Sequence, residues 1–222
     1  MNKHRLHFSK QGRASYISHL DLMRTFQRAF LRAELNIKQT EGFNPHSFVS
    51  IPLPLSVGFS SDCEILDFEL LGDVDLAEVP ARMNAVLPEG IIVHRCYVAV
   101  RPIKQLSFVD CDLTLDYEKG VPTDAQKTIT ELLSREHWEI TKKSSKAKSG
   151  FTTVDIAPLV KEYSFTESER QLVLHAKLSA QSPGLNPQLL WTSLTAECPA
   201  LTADYTHFHR NAVLDAELKP FA

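Results

Sequence analysis

The sequence of 222 residues lacks the short motifs that mark several common enzyme classes. It contains no phosphate-binding P-loop, no G-x-G-x-x-G, no H-E-x-x-H and no G-x-S-x-G. No motif therefore supports nucleotide hydrolysis, dinucleotide-dependent redox chemistry, zinc peptidase activity or serine esterase activity. The sequence also has no run of 18 apolar residues, so we expect no segment that crosses a membrane.

Cysteine is scarce, and its spacing argues against a disulfide or zinc framework. The four cysteines lie far apart without any C-x-x-C pair: Cys63, Cys96, Cys111 and Cys198. This spacing favours buried free thiols in a reducing compartment. The opening residues, MNKHRLHFSKQG, lack the apolar core of a signal peptide, so we expect a cytoplasmic protein.

The histidines offer little for metal binding. His4 and His7 are three residues apart on a predicted strand, so their side chains point to opposite faces. His207 and His209 share a face and could ligate a metal, but no third ligand is near in sequence, and a structural or surface role is the preferred interpretation. We therefore expect the chain to bind no metal and no cofactor.

Neither sign of charge dominates, since the formal net charge is −3. The distribution is uneven, however. Residues 1–50 carry eight Lys and Arg against three Asp and Glu, residues 51–105 carry four against eight, and residues 106–222 carry twelve against sixteen. The whole chain is thus no polycation that coats nucleic acid indiscriminately. The N-terminal residues are compatible with a local basic surface and equally with ordinary solvated charge.

Hydrophobic periodicity predicts two successive units with the same order of elements. The first unit reads as a strand, a helix, two extended segments, a helix and a strand, at residues 5–8, 18–35, 46–53, 64–72, 73–90 and 91–100. In the second unit a strand pattern at 108–115 leads to a helix at 124–134 and then to Trp-Glu-Ile-Thr-Lys at 138–142. A polar basic loop at 142–150 and an irregular segment at 151–170 follow, and then a strand at 171–180, a helix at 186–194 and a strand at 205–214. We predict an α+β protein of two tandem ferredoxin-like (βαββαβ) domains, residues 1–105 and 106–222.

A row of arginines on the first predicted helix is the main candidate for function. Arg24, Arg28 and Arg32 are spaced by four, so they share a face turned away from Phe26 and Phe30. Like charges at this spacing repel by a few tenths of a kcal/mol per pair. The row is therefore either neutralised by acids or presented to an anionic partner. Guanidinium groups at intervals of about 6 Å suit a nucleic-acid backbone, since each binds phosphate with paired hydrogen bonds.

The residues just before this helix have two interpretations. Ser18 stands at the expected N-cap and Asp21 three residues later, which is close to a capping box, so both residues have a structural explanation. Lys10 and Arg13 extend the cationic row if they fold onto the same side.

The segment Gly42–His46 reads as a turn, because Gly42 permits positive φ and Asn44 must be extended before Pro45. Phe43 is large for a turn and either fills the core or offers a ring for base stacking. His19 and His46 are candidates for proton transfer, although a structural role is commoner for a lone histidine. The candidate nucleic-acid or phosphate-binding residues are Lys10, Arg13, His19, Arg24, Arg28, Arg32, Phe43, Asn44 and His46.

Several unusual short segments occur in series. They are an F-x-K-x-G-like opening at 8–12, Ile-Ser-His-Leu-Asp-Leu at 17–22, the arginine-rich helix, Gly-Phe-Asn-Pro-His at 42–46, Pro-Leu-Pro-Leu-Ser-Val-Gly at 52–58 followed by Glu64, and more weakly 154–159 and Arg210. In these segments the chain resembles the radical-SAM-linked protein family, a domain of uncharacterised function. The opening motifs are also similar to those of ferredoxin-like CRISPR repeat-processing endonucleases, which grip RNA.

The resemblance implies a partner. Members of the family occur fused to, or encoded beside, a radical-SAM protein that often carries a cobalamin-binding domain. The present chain lacks the C-x-x-x-C-x-x-C motif, so the iron–sulfur cluster would belong to that partner.

Three functions are compatible with these observations. The first is a non-catalytic accessory or substrate-recognition protein for a radical-SAM enzyme that binds RNA or another phosphate-bearing substrate. The second is a metal-independent RNA endonuclease using His19 or His46. The third is an interaction scaffold that docks the radical-SAM partner through the acidic second half or the basic loop at 142–148.

Overall fold

The chain has a mixed α/β structure, in agreement with the predicted class. The computed structural model describes residues 3–143, 150–181 and 183–221. Within these ranges, four α-helices accompany strands that pair mostly in antiparallel fashion. The described part of the chain contains no helix that is both long and apolar enough to cross a bilayer.

The chain divides into two compact units, Met1–Leu106 with His209–Ala222, and Ser107–Phe208. The first unit therefore ends beside the predicted boundary at residues 105 and 106. It also includes residues 209–222, which the sequence analysis places in the second domain.

The first unit carries a small antiparallel sheet. Its elements are β1 (His4–Lys10), α1 (His19–Arg32), β2 (Val49–Ser50), β3 (Ser60–Phe68), α2 (Val79–Asn84) and β4 (Ile91–Val98). The strand order is β4, β1, β3, β2. The final strand of the chain, β10 (Tyr205–Leu214), adds a short parallel pairing that sets His209 beside Ser60 and Arg210 beside Ser61. The predicted strand at 46–53 shortens to β2, since Pro52 and Pro54 supply no backbone donor.

The second unit has an antiparallel sheet and a hairpin. Its elements are β5 (Phe108–Asp116), α3 (Ala125–Leu133), β6 (Glu139–Lys143), β7 (Phe151–Asp155), β8 (Val160–Glu167), β9 (Gln171–Ser179) and α4 (Pro187–Glu197). The sheet order is β5, β9, β8, and β6 pairs with β7. Residues 144–149, the centre of the predicted basic loop, lie outside the described residues.

Helix α1 begins at a side-chain cap. Ser18 Oγ accepts a hydrogen bond from the Asp21 backbone N–H at 3.2 Å and donates one to the Asp21 carboxylate at 2.7 Å. These bonds satisfy a helix N–H that has no partner within the helix and hold the acidic side chain at the positive end of the helix dipole. The prediction that Ser18 and Asp21 cap this helix is confirmed.

The other end of α1 closes in a Schellman motif. Leu35 N–H donates to Phe30 C=O at 3.0 Å, and Glu34 N–H donates to Leu31 C=O at 3.1 Å. Glu34 adopts a left-handed conformation with φ of 55°, where glycine is usual. The Arg82 guanidinium donates to the carbonyls of Ala33 and Glu34 and so satisfies the remaining helix end.

One face of the first sheet packs against α1 through aromatic rings. Phe8 of β1 meets Phe26 of α1 with ring centroids 4.8 Å apart, and Phe68 of β3 meets Phe30 at 4.7 Å. All four side chains are fully buried. Each contributes on the order of 1.5–3 kcal/mol by leaving water, so this cluster fixes which face of α1 turns inward.

The end of the chain covers the opposite face of this sheet. Arg5 is buried and donates to both carboxylate oxygens of Asp67, at 2.6 and 2.9 Å. Arg101 donates to Asp215 at 2.6 Å, and the Phe221 ring lies 5.2 Å from the Arg5 guanidinium and 4.7 Å from that of Arg101. These contacts explain why residues 209–222 belong to the first unit.

His7 of β1 lies half-buried without a hydrogen bond at Nδ1. Its ring centroid is 5.6 Å from that of His94. Burial lowers the pKa of His7 to about 4, with further lowering from Arg95 and His94 that the Asp62 carboxylate opposes. The imidazole therefore stays neutral in the fold at a pH where the unfolded chain binds a proton.

All four cysteines are free thiols, as the sequence predicts. Cys63 and Cys111 are buried, whereas Cys96 and Cys198 are partly exposed. Burial raises the pKa of Cys63 and of Cys96 to about 12.

Glycine at position 34 should stabilise the protein. Glu34→Gly removes the strain of an L-residue at positive φ and a negative charge at the helix C-terminus, so we expect a gain of about 1 kcal/mol in the free energy of unfolding. Urea denaturation measures it. Glu34→Ala removes only the charge, and a gain as large as that of Glu34→Gly would contradict the conformational explanation.

His7 should make the protein acid-sensitive. Because its pKa is about 4 in the fold and near 6.5 when unfolded, the unfolded state binds more protons between these values, and stability falls as the pH falls. We expect His7→Phe to reduce the loss of unfolding free energy between pH 7.5 and 4.5 by about 2 kcal/mol. Equal losses for the variant and the wild type would refute this origin.

Candidate nucleic-acid interface

The arginine row lies on the solvent face of α1. Arg24, Arg28 and Arg32 are all exposed, opposite the buried face that includes Phe26 and Phe30. Among the described residues, Arg28 and Arg32 have no hydrogen-bond or ion-pair partner. Two of the three guanidinium groups are therefore bound by no side chain that the structure describes.

Arg24 has a weak partner. Its Nη1 lies 3.2 Å from Asp21 Oδ1, and the two side chains are 65% and 62% exposed. Exposed ion pairs contribute about 0–1 kcal/mol, because water solvates both charges well. The Asp21 carboxylate also accepts a hydrogen bond from the Ser18 hydroxyl, so its contact with Arg24 is one of two.

Exposed apolar side chains flank the row. Leu20 and Leu31 lie on the same helix face as Arg24, and Tyr16 in the 3₁₀ turn before the helix is 75% exposed. Exposed leucines therefore accompany the arginines on this helix face, and an exposed tyrosine precedes the helix.

The turn at Gly42–His46 is fastened beside this helix. Gln27 Nε2 donates to Ser47 C=O at 3.1 Å, which ties the residue after the turn to α1. Gly42 has φ of 129°, a conformation reserved for glycine. Phe43 is fully exposed, so the alternative in which its ring fills the core is wrong. Asn44 is exposed as well.

The two candidate catalytic histidines are not brought together. His46 Nδ1 lies 3.1 Å from Thr40 Oγ1 and 3.2 Å from Asn44 C=O, so this nitrogen holds the turn. His19 is the first residue of α1 and is only partly exposed, without a hydrogen-bond partner among the described residues. In the described part of the chain, no hydrogen bond joins His19 to His46.

Lys10 does not extend the exposed row. Its side chain is 1% exposed, and Nζ donates to the Ser15 carbonyl at 3.0 Å. The register of β1 turns this side chain inward toward Glu64 rather than outward beside Arg13, which is exposed. Sequence spacing alone does not distinguish these two directions.

A buried ionic cluster around Glu64 escapes the sequence analysis. The Glu64 carboxylate is 1% exposed and accepts from Arg210 Nη1 at 2.7 Å, while the same guanidinium donates to Leu53 C=O at 3.1 Å. Burial lowers the pKa of Lys10, and the charge of Glu64 opposes that shift. Lys10, Glu64 and Arg210 all lie in or beside the sequence segments that carry the family resemblance. This shared membership is the signal in the sequence that points to these three residues.

His209 stands in a second polar row. Its Nδ1 lies 2.7 Å from Ser60 Oγ, and its Nε2 lies 3.0 Å from the Asp62 carboxylate, which Gln11 also contacts. The order of groups is that of a hydrolytic triad, but the exposure is reversed: Ser60 is 5% exposed and the Asp62 side chain 52%. A buried serine cannot meet a substrate, so this row holds β10 against β3.

With both imidazole nitrogens occupied, His209 is no metal ligand in this structure. No group of three or more His, Cys, Asp and Glu suited to a metal ion occurs in the described part of the chain.

Glu64 should be far more important for stability than an exposed carboxylate. Glu64→Gln leaves the buried cations Lys10 and Arg210 without their shared anion, so we expect a loss of about 3–5 kcal/mol in unfolding free energy. The matched control Glu162→Gln breaks a surface pair with Lys177 and should cost less than about 1 kcal/mol. Adding Lys10→Met to Glu64→Gln should recover part of the loss. Equal small losses for the two glutamine variants would contradict the cluster's role.

Comparison with known proteins gives a family. No curated protein matches the sequence. Among solved structures, an unknown protein from Galdieria sulphuraria is 9% identical with a TM-score of 0.27, and the match covers 94% of this chain and 96% of that one. The family described as an uncharacterized protein conserved in bacteria (DUF2344) matches residues 3–187, which take in the arginine row, the Gly42–His46 turn and Glu64. The chain belongs to this bacterial family.

Proposed function

We propose that the protein is a non-catalytic accessory protein that binds RNA through the exposed face of α1. The observation that carries the proposal is that Arg24, Arg28 and Arg32 stand in line in solvent, and that Arg28 and Arg32 have no partner within residues 3–143, 150–181 and 183–221. Phosphate is the ligand that guanidinium recognises best, and a polymer of phosphates matches a repeated cation better than a single anion does.

The partner in this proposal is a radical-SAM enzyme. The support is the resemblance in the segments at 8–12, 17–22, 42–46 and 52–58, together with the absence of an iron–sulfur motif in this chain. The protein would present RNA, or another phosphate-bearing substrate, to chemistry that the partner performs.

We also propose that both units derive from the ferredoxin-like fold. In the first unit the strand order β4, β1, β3, β2 supports this assignment, because it alternates as two interleaved βαβ halves require. In the second unit the element order supports it, with the hairpin of β6 and β7 as an insertion.

An arginine-to-alanine triple variant tests RNA binding. Fluorescence anisotropy with a structured RNA at 50 and 200 mM salt should show that Arg24→Ala/Arg28→Ala/Arg32→Ala binds more weakly and with a salt slope smaller by about 2, since three phosphate contacts are lost. The control Lys127→Ala/Lys161→Ala/Arg170→Ala removes three exposed cations from the second unit and the same net charge.

Two outcomes would overturn the proposal. The first is equal binding by wild type and the α1 variant, and the second is an equal loss in both variants, which would mean that net charge alone attracts RNA. Incubation of the RNA with excess protein and chelator is the companion experiment. Cleavage that disappears in His19→Ala or His46→Ala would replace accessory binding with the endonuclease alternative. Retention of a radical-SAM protein with no RNA would favour the scaffold alternative.

A further inference from the structure

We infer that the α1 face recognises unpaired RNA, with the rings of Phe43 and Tyr16 as stacking platforms for bases beside the arginine row. This inference rests on the proposed RNA binding and specifies which form of RNA is bound. Phe43 is a large apolar side chain that is exposed to solvent.

Phe43 is fully exposed although burying a phenylalanine side chain gains about 1.5–3 kcal/mol. Its turn is closed by hydrogen bonds between the residues at its two ends. Thr40 N–H donates to His46 C=O at 2.8 Å, His46 N–H donates to Thr40 Oγ1 at 3.1 Å, and Gln39 pairs with Ser47 at the base of the turn. These hydrogen bonds fix both ends of the loop that carries the Phe43 ring.

The turn that carries the ring is anchored next to the cations. The bond from Gln27 to the Ser47 carbonyl anchors the turn on α1, and Arg24 and Leu31 lie three and four residues from Gln27, so they are its neighbours on the helix surface. Arg28 follows directly, one position further round the helix. A strand whose phosphates contact these arginines therefore passes beside the turn that carries Phe43.

Tyr16 supplies a second ring near the other end of the row. It is 75% exposed and lies two residues before the Ser18 cap, whereas the turn is anchored at Gln27. The start of α1 and Gln27 are about 12 Å apart along the helix axis. Arg24 lies between these two levels, so along the helix axis it is flanked by the 3₁₀ turn that carries Tyr16 and by the anchor of the turn that carries Phe43.

Rings of this kind distinguish unpaired from paired RNA. An A-form duplex hides the faces of its bases inside the stack and offers phosphates and 2′-hydroxyls to a protein. A single strand also offers base faces, and stacking on an aromatic side chain is worth about 1–3 kcal/mol per base. Arginines alone would bind both forms, and the exposed rings add affinity only for the unpaired one.

Comparison of a single-stranded oligonucleotide with its own duplex tests the inference. Wild type should bind the single strand at least 10-fold more tightly at equal salt, and Phe43→Ala should lose about 10-fold for the single strand and nothing for the duplex. Phe43→Trp should keep the preference, and its fluorescence should be quenched by the single strand. Tyr205→Ala, which removes an exposed ring from the second unit, is the matched control and should change neither affinity.

The outcomes separate this inference from the proposed function. If the arginine variant loses RNA but Phe43→Ala does not, and the duplex binds as tightly as the single strand, the stacking inference is wrong and RNA binding stands. If no form of RNA binds to wild type, both fall, and the exposed leucines and rings then assign the face to a protein partner. A loss of 10-fold in Tyr205→Ala would also overturn the inference, because the effect would not be local to the turn.

Discussion

The charge of Glu64, buried in the first unit, is the constraint on which that unit depends. A carboxylate in the protein interior is tolerated only with counter-charges, and here Lys10 of β1 and Arg210 of β10 provide them. The cluster joins residues from the start, the middle and the end of the chain, and Arg210 also holds the loop at Leu53. Burying these charges costs free energy, and the resulting contacts fix the register of the strands that support α1.

That support decides which cations are available for binding. Lys10 belongs to the interior because the register of β1 directs it toward Glu64. The arginines of α1 lie on the surface because Phe26 and Phe30 pack the opposite face of the helix against the core. Lys10 therefore contributes to stability, whereas Arg24, Arg28 and Arg32 face solvent.

Local features of this arrangement can be predicted from sequence, whereas long-range ones cannot. The Ser18 cap, the buried face of α1 and the exposed arginines follow from spacing within a few residues, where helix geometry leaves little choice. For Lys10 the sequence leaves the direction of the side chain open, because nothing near it in sequence reveals Glu64, which is 54 residues away. The return of residues 209–222 to the first unit depends on Arg210, Asp215 and Phe221 finding partners near the opposite end of the chain, and periodicity carries no information about such pairs.

Photochemical crosslinking of a 4-thiouridine-containing single strand, read out by mass spectrometry, tests the central claim most directly. The account predicts crosslinked peptides from α1 and from the Gly42–His46 turn, with Phe43 or Tyr16 as the modified residues and no crosslink in the second unit. Crosslinks concentrated in residues 107–208, with the α1 face unmodified at saturating RNA, would contradict it.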